Sequence, residues 1–374
     1  MINEKVLGSF KIIFKVATSI GVVPLDYEKN KLRKSKSLYK KLVRFMANCL
    51  FVFKIMFLGV RFLQAAVDWE KNIQDVCLTA FYELIYLNLA FFITNNRMKE
   101  SELCWTFSQI SSLNENVSLR KQWSLPELIM LTWIPACVNM EILMLIYYIA
   151  LPLERHQFFS AIPVHFQNKT GIFIVCFSVE VFILTCFIWL ALFEFAVQKL
   201  MLTSLIYWTD EISNAKTMTR MHSLESIHQY WVQVLLAKNL NIIYGESIEQ
   251  IKTSFTISCI GMNFVMIRCH SVASLFLILF LLNCIGFCHT LPPLLYHDAF
   301  EVGVNSLNCK RALKLRVLER DCGVAGSRIL WSRCCSAIPP LRIRVLGMYF
   351  LDRMFVPQFF FLIFYFTCTL LLSV

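Results

Sequence analysis

The chain alternates long apolar stretches with shorter segments that carry most of its charge. Seven stretches are apolar enough to predict helices that cross a membrane, since about 20 apolar residues span the hydrocarbon core. They lie at 45–63, 77–94, 128–151 and 171–195, in a pair within 255–295 divided at 268–271, and from residue 354 onward. The pattern predicts an all-α membrane protein with seven transmembrane helices.

The last apolar stretch contains no charged side chain from Met354 to the end of the sequence. The preceding residues carry Arg342, Arg344 and Arg353 between apolar positions at helical spacing. This pattern predicts one long helix in two parts, with a polar lower half. Pro357 lacks an N–H donor and predicts a kink or break near the join.

Two segments between the spans also have a helical pattern. Apolar residues recur at helical spacing after the fourth span, at Ile227, Trp231, Val234 and Leu235. This pattern predicts that the chain continues as helix below the membrane. The expected organisation is a cytosolic N-terminal segment (1–44), helices 1–4 (45–198), a helical extension (199–253), helices 5–6 (254–296), a second extension (297–344) and helix 7 (345–374). Because each extension has an apolar stripe, it needs a partner, either in this chain or in a neighbouring subunit.

The basic N-terminal segment is a poor candidate for transfer across a membrane. Its apolar run is interrupted by Lys15 and lacks a small-residue cleavage site, so no cleaved signal peptide is predicted. A helix with Leu7, Phe10, Ile13 and Phe14 on one face is predicted instead, lying at the membrane surface.

Composition agrees with a membrane protein, because 57% of the residues are hydrophobic and 16% are charged. The net charge of +11 does not indicate nucleic-acid binding, since the basic residues lie between the spans. With the N-terminus inside, the inner segments hold 28 Lys and Arg and the outer loops hold 4. The positive-inside rule therefore predicts a cytosolic N-terminus and an extracellular C-terminus. This orientation excludes a G-protein-coupled receptor, which would also need an Asp-Arg-Tyr motif after the third span.

Three carboxylates lie within predicted spans, where ionisable residues are costly and indicate function. Glu83, Glu141 and Glu180 fall at similar depth and could share one cavity that attracts a cation or an amine, or that binds hydroxyls. Alternatively, each carboxylate pairs separately with a neighbour. Aromatic residues that suit a mostly apolar ligand pocket are Tyr82, Tyr148, Phe177 and Phe264, although an aromatic residue at helical spacing more often serves packing. Lys54 and Arg61 on the first span are predicted to reach the membrane surface or to pair with a carboxylate.

No catalytic motif is present, and an enzyme is not predicted. The fifteen cysteines are scattered and form no disulfide framework. Cys284, Cys288 and His289 have helical spacing but lack a fourth ligand, so neither a metal nor another cofactor is predicted. A transporter is also disfavoured, since two matching halves with interrupted helices are missing.

Three separate motifs resemble those of the insect gustatory receptors. Leu240-Asn241-Ile242-Ile243-Tyr244-Gly245 is similar to their Leu-Asn-x-x-Phe-Gly signature, and Gly347-Met348-Tyr349-Phe350-Leu351-Asp352-Arg353 is similar to the opening of their seventh helix. Gly21-Val22-Val23-Pro24-Leu25 is a weaker match to their cytosolic start. The family's Thr-Tyr, four hydrophobic residues, Gln-Phe signature would fall on 364–371, where the tyrosine alone is kept. Tyr365-Phe366-Thr367 with the following leucines also resembles the end of the related odorant receptors.

The resemblance implies a multi-pass receptor of the plasma membrane that acts as a ligand-gated, non-selective cation channel. Its partners would be a small tastant or odorant, cations and membrane lipid, with no nucleic acid. Four identical or different subunits would surround a pore lined by their seventh helices, where Tyr365, Thr369 and Leu370 are the expected pore residues. Since Leu370 stands where the family has Gln, a non-conducting or auxiliary subunit is an alternative.

Overall fold

The computed structural model describes most of the chain. The described residues are 4–23, 25–28, 31–67, 73–114, 125–214, 220–268, 275–319, 325–345, 349–351 and 353–373. Pro24, most of the predicted break at 268–271 and part of the motif at 347–353 therefore lie outside the described residues.

Helices dominate the described part of the chain. In order they are α1 (Glu4–Ile20), α2 (Leu38–Val67), α3 (Ile73–Met98), α4 (Glu100–Asn114), α5 (Leu125–Ala150), α6 (Val164–Gln167), α7 (Thr170–Asn214), α8 (Arg220–Arg268), α9 (Leu275–Glu319), α10 (Ala325–Ala337) and α11 (Phe355–Ser373). A 3-10 turn, Phe158–Ala161, precedes α6. Short antiparallel strands pair β1 (Leu25–Glu28) with β2 (Lys31–Lys34) and β3 (Arg344–Val345) with β4 (Tyr349–Phe350).

The helical membrane class predicted from the sequence is confirmed. Within the described residues, α2, α7 and α11 are long and apolar enough to cross a membrane, and shorter apolar segments lie in α5 (Ile134–Ala150) and α9 (Leu277–Thr290). The remaining predicted spans fall in α3 and α8. The number of seven spans and their orientation stay predictions.

Three helices are much longer than a membrane is thick. The helices α7, α8 and α9 contain 45, 49 and 45 residues, which corresponds to about 65–75 Å at 1.5 Å per residue. Because the hydrocarbon core measures about 30 Å, roughly half of each helix extends beyond it. In the described part of the chain, α7 packs along α9, and α8 packs against α3 and α11.

The predicted position of α1 at the membrane surface is wrong. Its apolar residues Phe10, Ile13 and Phe14 are buried inside the protein. The Phe14 ring lies 5.3 Å from that of Phe107 in α4 and 5.7 Å from that of Phe193 in α7. The neighbouring helices therefore supply the apolar contacts that remove these three side chains from water.

The β1–β2 hairpin was not predicted from the sequence. Its side chains Leu25 and Leu32 are each 1% exposed and pack in the same core as α1. The hairpin is tied to α2 by a 2.5 Å ion pair between Asp26 and Lys40. Burial opposes ionisation of Asp26, but the hydrogen bonds from Lys40 and Ser35 outweigh it and hold the pKa of this carboxyl below its usual range.

The prediction of one long C-terminal helix is also wrong. Residues 338–345 and 349–351 are extended or turn backbone, and α11 begins at Phe355. Two consecutive prolines, Pro339 and Pro340, remove backbone donors and disfavour a helix at this point. Pro357 lies in the first turn of α11, where its missing N–H would have no partner inside the helix, so it marks the start of a helix and not a kink.

Candidate ligand-binding site

The loop between α5 and α7 folds back into the helix bundle and forms one wall of a pocket. His156, Gln157, Phe158 and Phe159 are at most 8% exposed, although they lie in a segment with no long helix. Backbone turns hold this conformation: the Gln157 N–H donates to the Glu154 carbonyl at 2.9 Å, and the Phe158–Ala161 turn follows. The loop thereby places a histidine and a glutamine among the spans.

A buried ion pair joins α2, the loop and α7. Lys54 Nζ lies 2.5 Å from Glu180 Oε1, and both side chains are largely shielded from solvent. Lys54 Nζ also donates to the His156 carbonyl at 2.9 Å, while the Phe158 N–H donates to Glu180 Oε1 at 3.0 Å. A buried pair is stable only when further hydrogen bonds satisfy its charges, and the loop backbone supplies them here. The loop and the ion pair therefore position each other.

Aromatic rings surround the His156 imidazole on both sides. Its ring is stacked against Tyr82 with centroids 4.4 Å apart and against Tyr147 with centroids 5.5 Å apart. Burial, together with the nearby Lys54 ammonium, lowers the pKa of His156 to about 3. The imidazole is therefore neutral at physiological pH, with one nitrogen that donates and one that accepts.

Four buried polar atoms in this region have no hydrogen-bond partner among the described residues: the hydroxyls of Tyr147 and Tyr148, His156 Nε2 and Gln157 Oε1. Buried polar atoms are nearly always paired, so four orphans in one place require an explanation. Their four residues line a cavity of about 30 Å³, together with Lys54, Tyr82, Met144, Phe177, Glu180 and Leu184. Such a volume holds about one or two waters, so a larger ligand has to widen the cavity.

A second, apolar cavity of about 90 Å³ lies among α3, α5, α7, α8 and α9. Its walls include Phe81, Met140, Phe187, Phe255 and Cys284. Two polar side chains that line this cavity are hydrogen-bonded to each other, because Ser254 Oγ donates to Asn88 Oδ1 at 2.7 Å. The polar pocket near the loop and this apolar cavity share no lining residue.

The structure brings together only some of the predicted ligand-binding residues. Tyr82, Tyr148, Phe177 and Glu180 line the polar pocket. Glu83, Glu141 and Phe264 are absent from the lining of both cavities.

Two of the three carboxylates have separate partners, whereas Glu83 Oε2 is buried with no hydrogen-bond partner among the described residues. Glu141 accepts a 2.6 Å hydrogen bond from Thr185 Oγ1, and Glu180 pairs with Lys54. Glu83 lies beside Gly59 of α2. Lys54 thus pairs with a carboxylate, which is one of the two predicted alternatives for this residue.

His156 and Gln157 were not predicted from the sequence as pocket residues. Both lie in a short loop, and neither belongs to an apolar pattern that would indicate burial. Two features of the sequence could have indicated that this loop is buried. One is the lysine in an apolar span, Lys54, and the other is the pair of aromatic residues in the loop, Phe158 and Phe159.

Hydrogen bonds from α8 and α9 fix the segment that leads into α11. Asn241, in the motif at 240–245, donates from Nδ2 to the Arg342 carbonyl at 2.9 Å, and its Oδ1 accepts from the Arg344 N–H at 2.8 Å. The buried Ser306 hydroxyl accepts from the Leu341 N–H at 2.6 Å and lies 2.7 Å from the Tyr230 hydroxyl. We call residues 338–345 the linker.

The helix α11 has one buried face and one exposed face. Phe359, Ile363 and Thr367 are at most 6% exposed. The predicted pore residue Tyr365 is 53% exposed, and Thr369 is also exposed. Leu370 is half-buried and packs against the core of its own chain.

Comparison with known proteins identifies the fold. No family model and no curated protein matches the sequence. Its structure is similar to that of the olfactory receptor OR5 from the insect Machilis hrabei, with a TM-score of 0.67 over 99% of this chain and 98% of that chain at 11% identity. This chain has the insect olfactory receptor fold. The complex of OR5 with eugenol is similar as well, with a TM-score of 0.73 over 99% of both chains at 10% identity.

The olfactory receptor fold places the polar pocket and the linker on different parts of the chain. The pocket is built by α2, α3, α5, α7 and the loop, whereas the linker is held by α8 and α9. α8 borders the apolar cavity and packs against α11, and it contributes no residue to the lining of the polar pocket. In the described residues, no group of three or more metal-ligating side chains forms a metal site.

Proposed function

We propose that this protein is a chemosensory receptor of the plasma membrane that opens a cation channel when a small molecule binds. The polar pocket carries this proposal: its four unpartnered atoms are placed to hydrogen-bond a ligand, and aromatic rings surround them. The fold supports it, since a solved receptor with this fold is in complex with eugenol.

The ligand site of this proposal is the polar pocket near the loop. Its charged groups, Lys54 and Glu180, neutralise each other, so the remaining hydrogen-bonding side chains of the lining, Tyr147, Tyr148, His156 and Gln157, are neutral. A neutral molecule with a hydroxyl or carbonyl group suits such a site better than an amine or a carboxylate. Binding would separate the loop from α5 and α7, because the cavity has to widen.

The pore of this proposal lies between four copies of α11. Its exposed face contains Phe361, Phe364, Tyr365 and Leu372, which are 53–89% exposed in one chain. A second apolar stripe, formed by Trp231, Leu235 and Ile242 on α8, is also exposed. In a membrane protein the α8 stripe would face water beyond the bilayer, so both surfaces favour association into a tetramer. An apolar ring can close such a pore by excluding water.

The gustatory branch remains the preferred assignment because the motif at 240–245 has a structural role, in which Asn241 holds the linker. An odorant receptor is compatible with the same fold. A non-conducting subunit is the second candidate, since the exposed face of α11 presents aromatic side chains at 361, 364 and 365 where a conducting pore needs polar groups.

Expression in oocytes tests the receptor channel. A panel of small neutral alcohols and phenols, including eugenol, is expected to contain a compound that evokes a cation current. The change Tyr148→Phe should raise the half-maximal concentration about twofold to tenfold, since one hydrogen bond to the ligand is lost. Tyr207→Phe, on the distant part of α7, serves as the control and should leave the response unchanged.

Surface expression and subunit number decide between the candidates. A surface tetramer without current for any compound would support the non-conducting subunit, whereas a purified monomer would contradict the pore arrangement itself. Tags at both termini, stained on unpermeabilised cells, test the proposed cytosolic N-terminus and extracellular C-terminus.

A further inference from the structure

A group of exposed cations lies where β2 leads into α2. Arg33, Lys36 and Lys41 are exposed, and among the described residues none of them forms an ion pair. The two basic residues between them are engaged: Lys34 lies 3.7 Å from Glu100, and Lys40 pairs with Asp26. We call Arg33, Lys36 and Lys41 the basic cluster. Its three charges are not neutralised within this part of the chain.

The basic cluster is next to the surface that faces lipid. Exposed apolar side chains begin on α2 with Leu38 at 81% and continue through Leu42 at 57% and Phe45 at 65%. From Phe45 to the end of α2, Phe53, Met56 and Leu63 continue this exposed apolar surface. In a helical membrane protein, such a surface contacts the hydrocarbon chains.

Helix geometry places Lys41, the member of the basic cluster that lies in α2, at the level of the lipid headgroups. Lys41 precedes Phe45 by four residues, a separation of about 6 Å along the helix. The headgroup layer on each side of the hydrocarbon core is roughly 5–8 Å thick. Tyr39, which is 64% exposed, lies at the same level and has the amphipathic side chain that is typical of the membrane interface.

We propose that the basic cluster binds the phosphorylated headgroup of an inositol phospholipid in the cytosolic leaflet. Three unneutralised cations match a headgroup that carries several phosphates, whereas a lipid with a single negative charge would neutralise only part of the cluster. The proposal rests on the cytosolic N-terminus described above and does not depend on channel activity. Because the Asp26–Lys40 pair joins the hairpin to α2, the bound lipid also fixes the hairpin against the membrane.

Binding of a short-chain lipid to the purified full-length protein tests this proposal. Dioctanoyl phosphatidylinositol bisphosphate should bind more tightly than dioctanoyl phosphatidylcholine, and added salt should weaken the binding. The double change Lys36→Gln/Lys41→Gln should weaken the binding about 25-fold, at about fivefold for each charge. Neither residue lies in the polar pocket or at the linker, so ligand responses should persist.

The matched control removes two exposed cations elsewhere. Arg311→Gln/Lys314→Gln on α9 changes the net charge equally and should leave lipid binding unchanged. The proposal would be overturned if the Lys36→Gln/Lys41→Gln protein bound dioctanoyl phosphatidylinositol bisphosphate as tightly as the unmodified protein does. It would also be contradicted if soluble inositol trisphosphate bound as tightly as that lipid, since the site would then recognise a free phosphate compound and not a membrane lipid.

Discussion

The polar pocket and the linker each involve a buried tyrosine, but the hydrogen bonding of the tyrosine hydroxyl differs between them. In the pocket, the buried Tyr147 hydroxyl has no partner among the described residues, whereas at the linker the equally buried Tyr230 hydroxyl lies 2.7 Å from Ser306. Unpaired buried groups cost free energy, and paired ones restrain the backbone. The hydrogen bonds therefore restrain the linker, while the pocket keeps unused hydrogen-bonding capacity, which the proposed function assigns to a ligand.

The largest expected effect comes from breaking the ion pair that supports the pocket. Lys54→Met leaves Glu180 buried and unpaired, which should destabilise the protein by about 3–5 kcal/mol. Thermal unfolding of the purified protein in detergent measures this loss. The double change Lys54→Met/Glu180→Leu should recover most of the stability. An unchanged unfolding temperature in the single variant would show that the pair contributes nothing.

The next largest effect concerns the linker. Asn241→Ala removes both hydrogen bonds to the backbone of Arg342 and Arg344, with an expected cost of about 1–3 kcal/mol. Hydrogen exchange of residues 341–345 should accelerate, while exchange in the loop above the pocket stays the same. Asn241→Asp keeps the acceptor and should have about half the effect. Acceleration in both regions would contradict the view that they are separate.

Two matched tyrosine changes test the comparison directly. Tyr230→Phe should cost about 1–2 kcal/mol of stability, because it leaves the buried Ser306 hydroxyl with one partner fewer. Tyr147→Phe removes an unpaired buried hydroxyl and should leave stability unchanged or raise it slightly. Thermal unfolding of both variants, measured side by side, provides the readout. Equal destabilisation would mean that the Tyr147 hydroxyl has a partner after all.

The smallest expected effect is a pH dependence of the protein's stability. It arises where α7 packs against α9 and Lys199 forms a buried ion pair with Asp298. The Asp298 carboxylate, 3.9 Å from the neighbouring His297 Nδ1, raises the pKa of His297, and Glu301 adds to it. A raised pKa stabilises the folded state below the unfolded value of about 6.5, and the contribution is lost as pH rises through the folded pKa. The unfolding temperature should therefore fall slightly between pH 6 and 8, and His297→Gln should remove this slope. A slope that persists in His297→Gln would assign it to another group.

Sequence patterns predicted the features that depend on hydrophobic periodicity. The helical membrane class and the continuation of α7 and α8 beyond the spans follow from apolar residues such as Ile227 and Val234. The position of α1 could not be predicted in this way, because an amphipathic face is equally suited to lipid and to a protein core. The extended linker was missed since its conformation depends on Asn241 and Ser306, which are distant in sequence.

Some residues of the candidate site could be recognised from the sequence, but their contacts could not. Glu180 and Lys54 were recognisable because charges in apolar spans are costly, but their pairing depends on how α2 packs against α7. His156 could not be found from periodicity, since its burial results from the path of a loop.

The wall that this loop contributes to the pocket has an evolutionary consequence. In the proposed receptor, substitutions at His156 and Gln157 would change the chemistry of the pocket wall at positions that belong to a loop and not to a long helix. Proteins with this fold could therefore acquire new ligand preferences through a few changes in the loop.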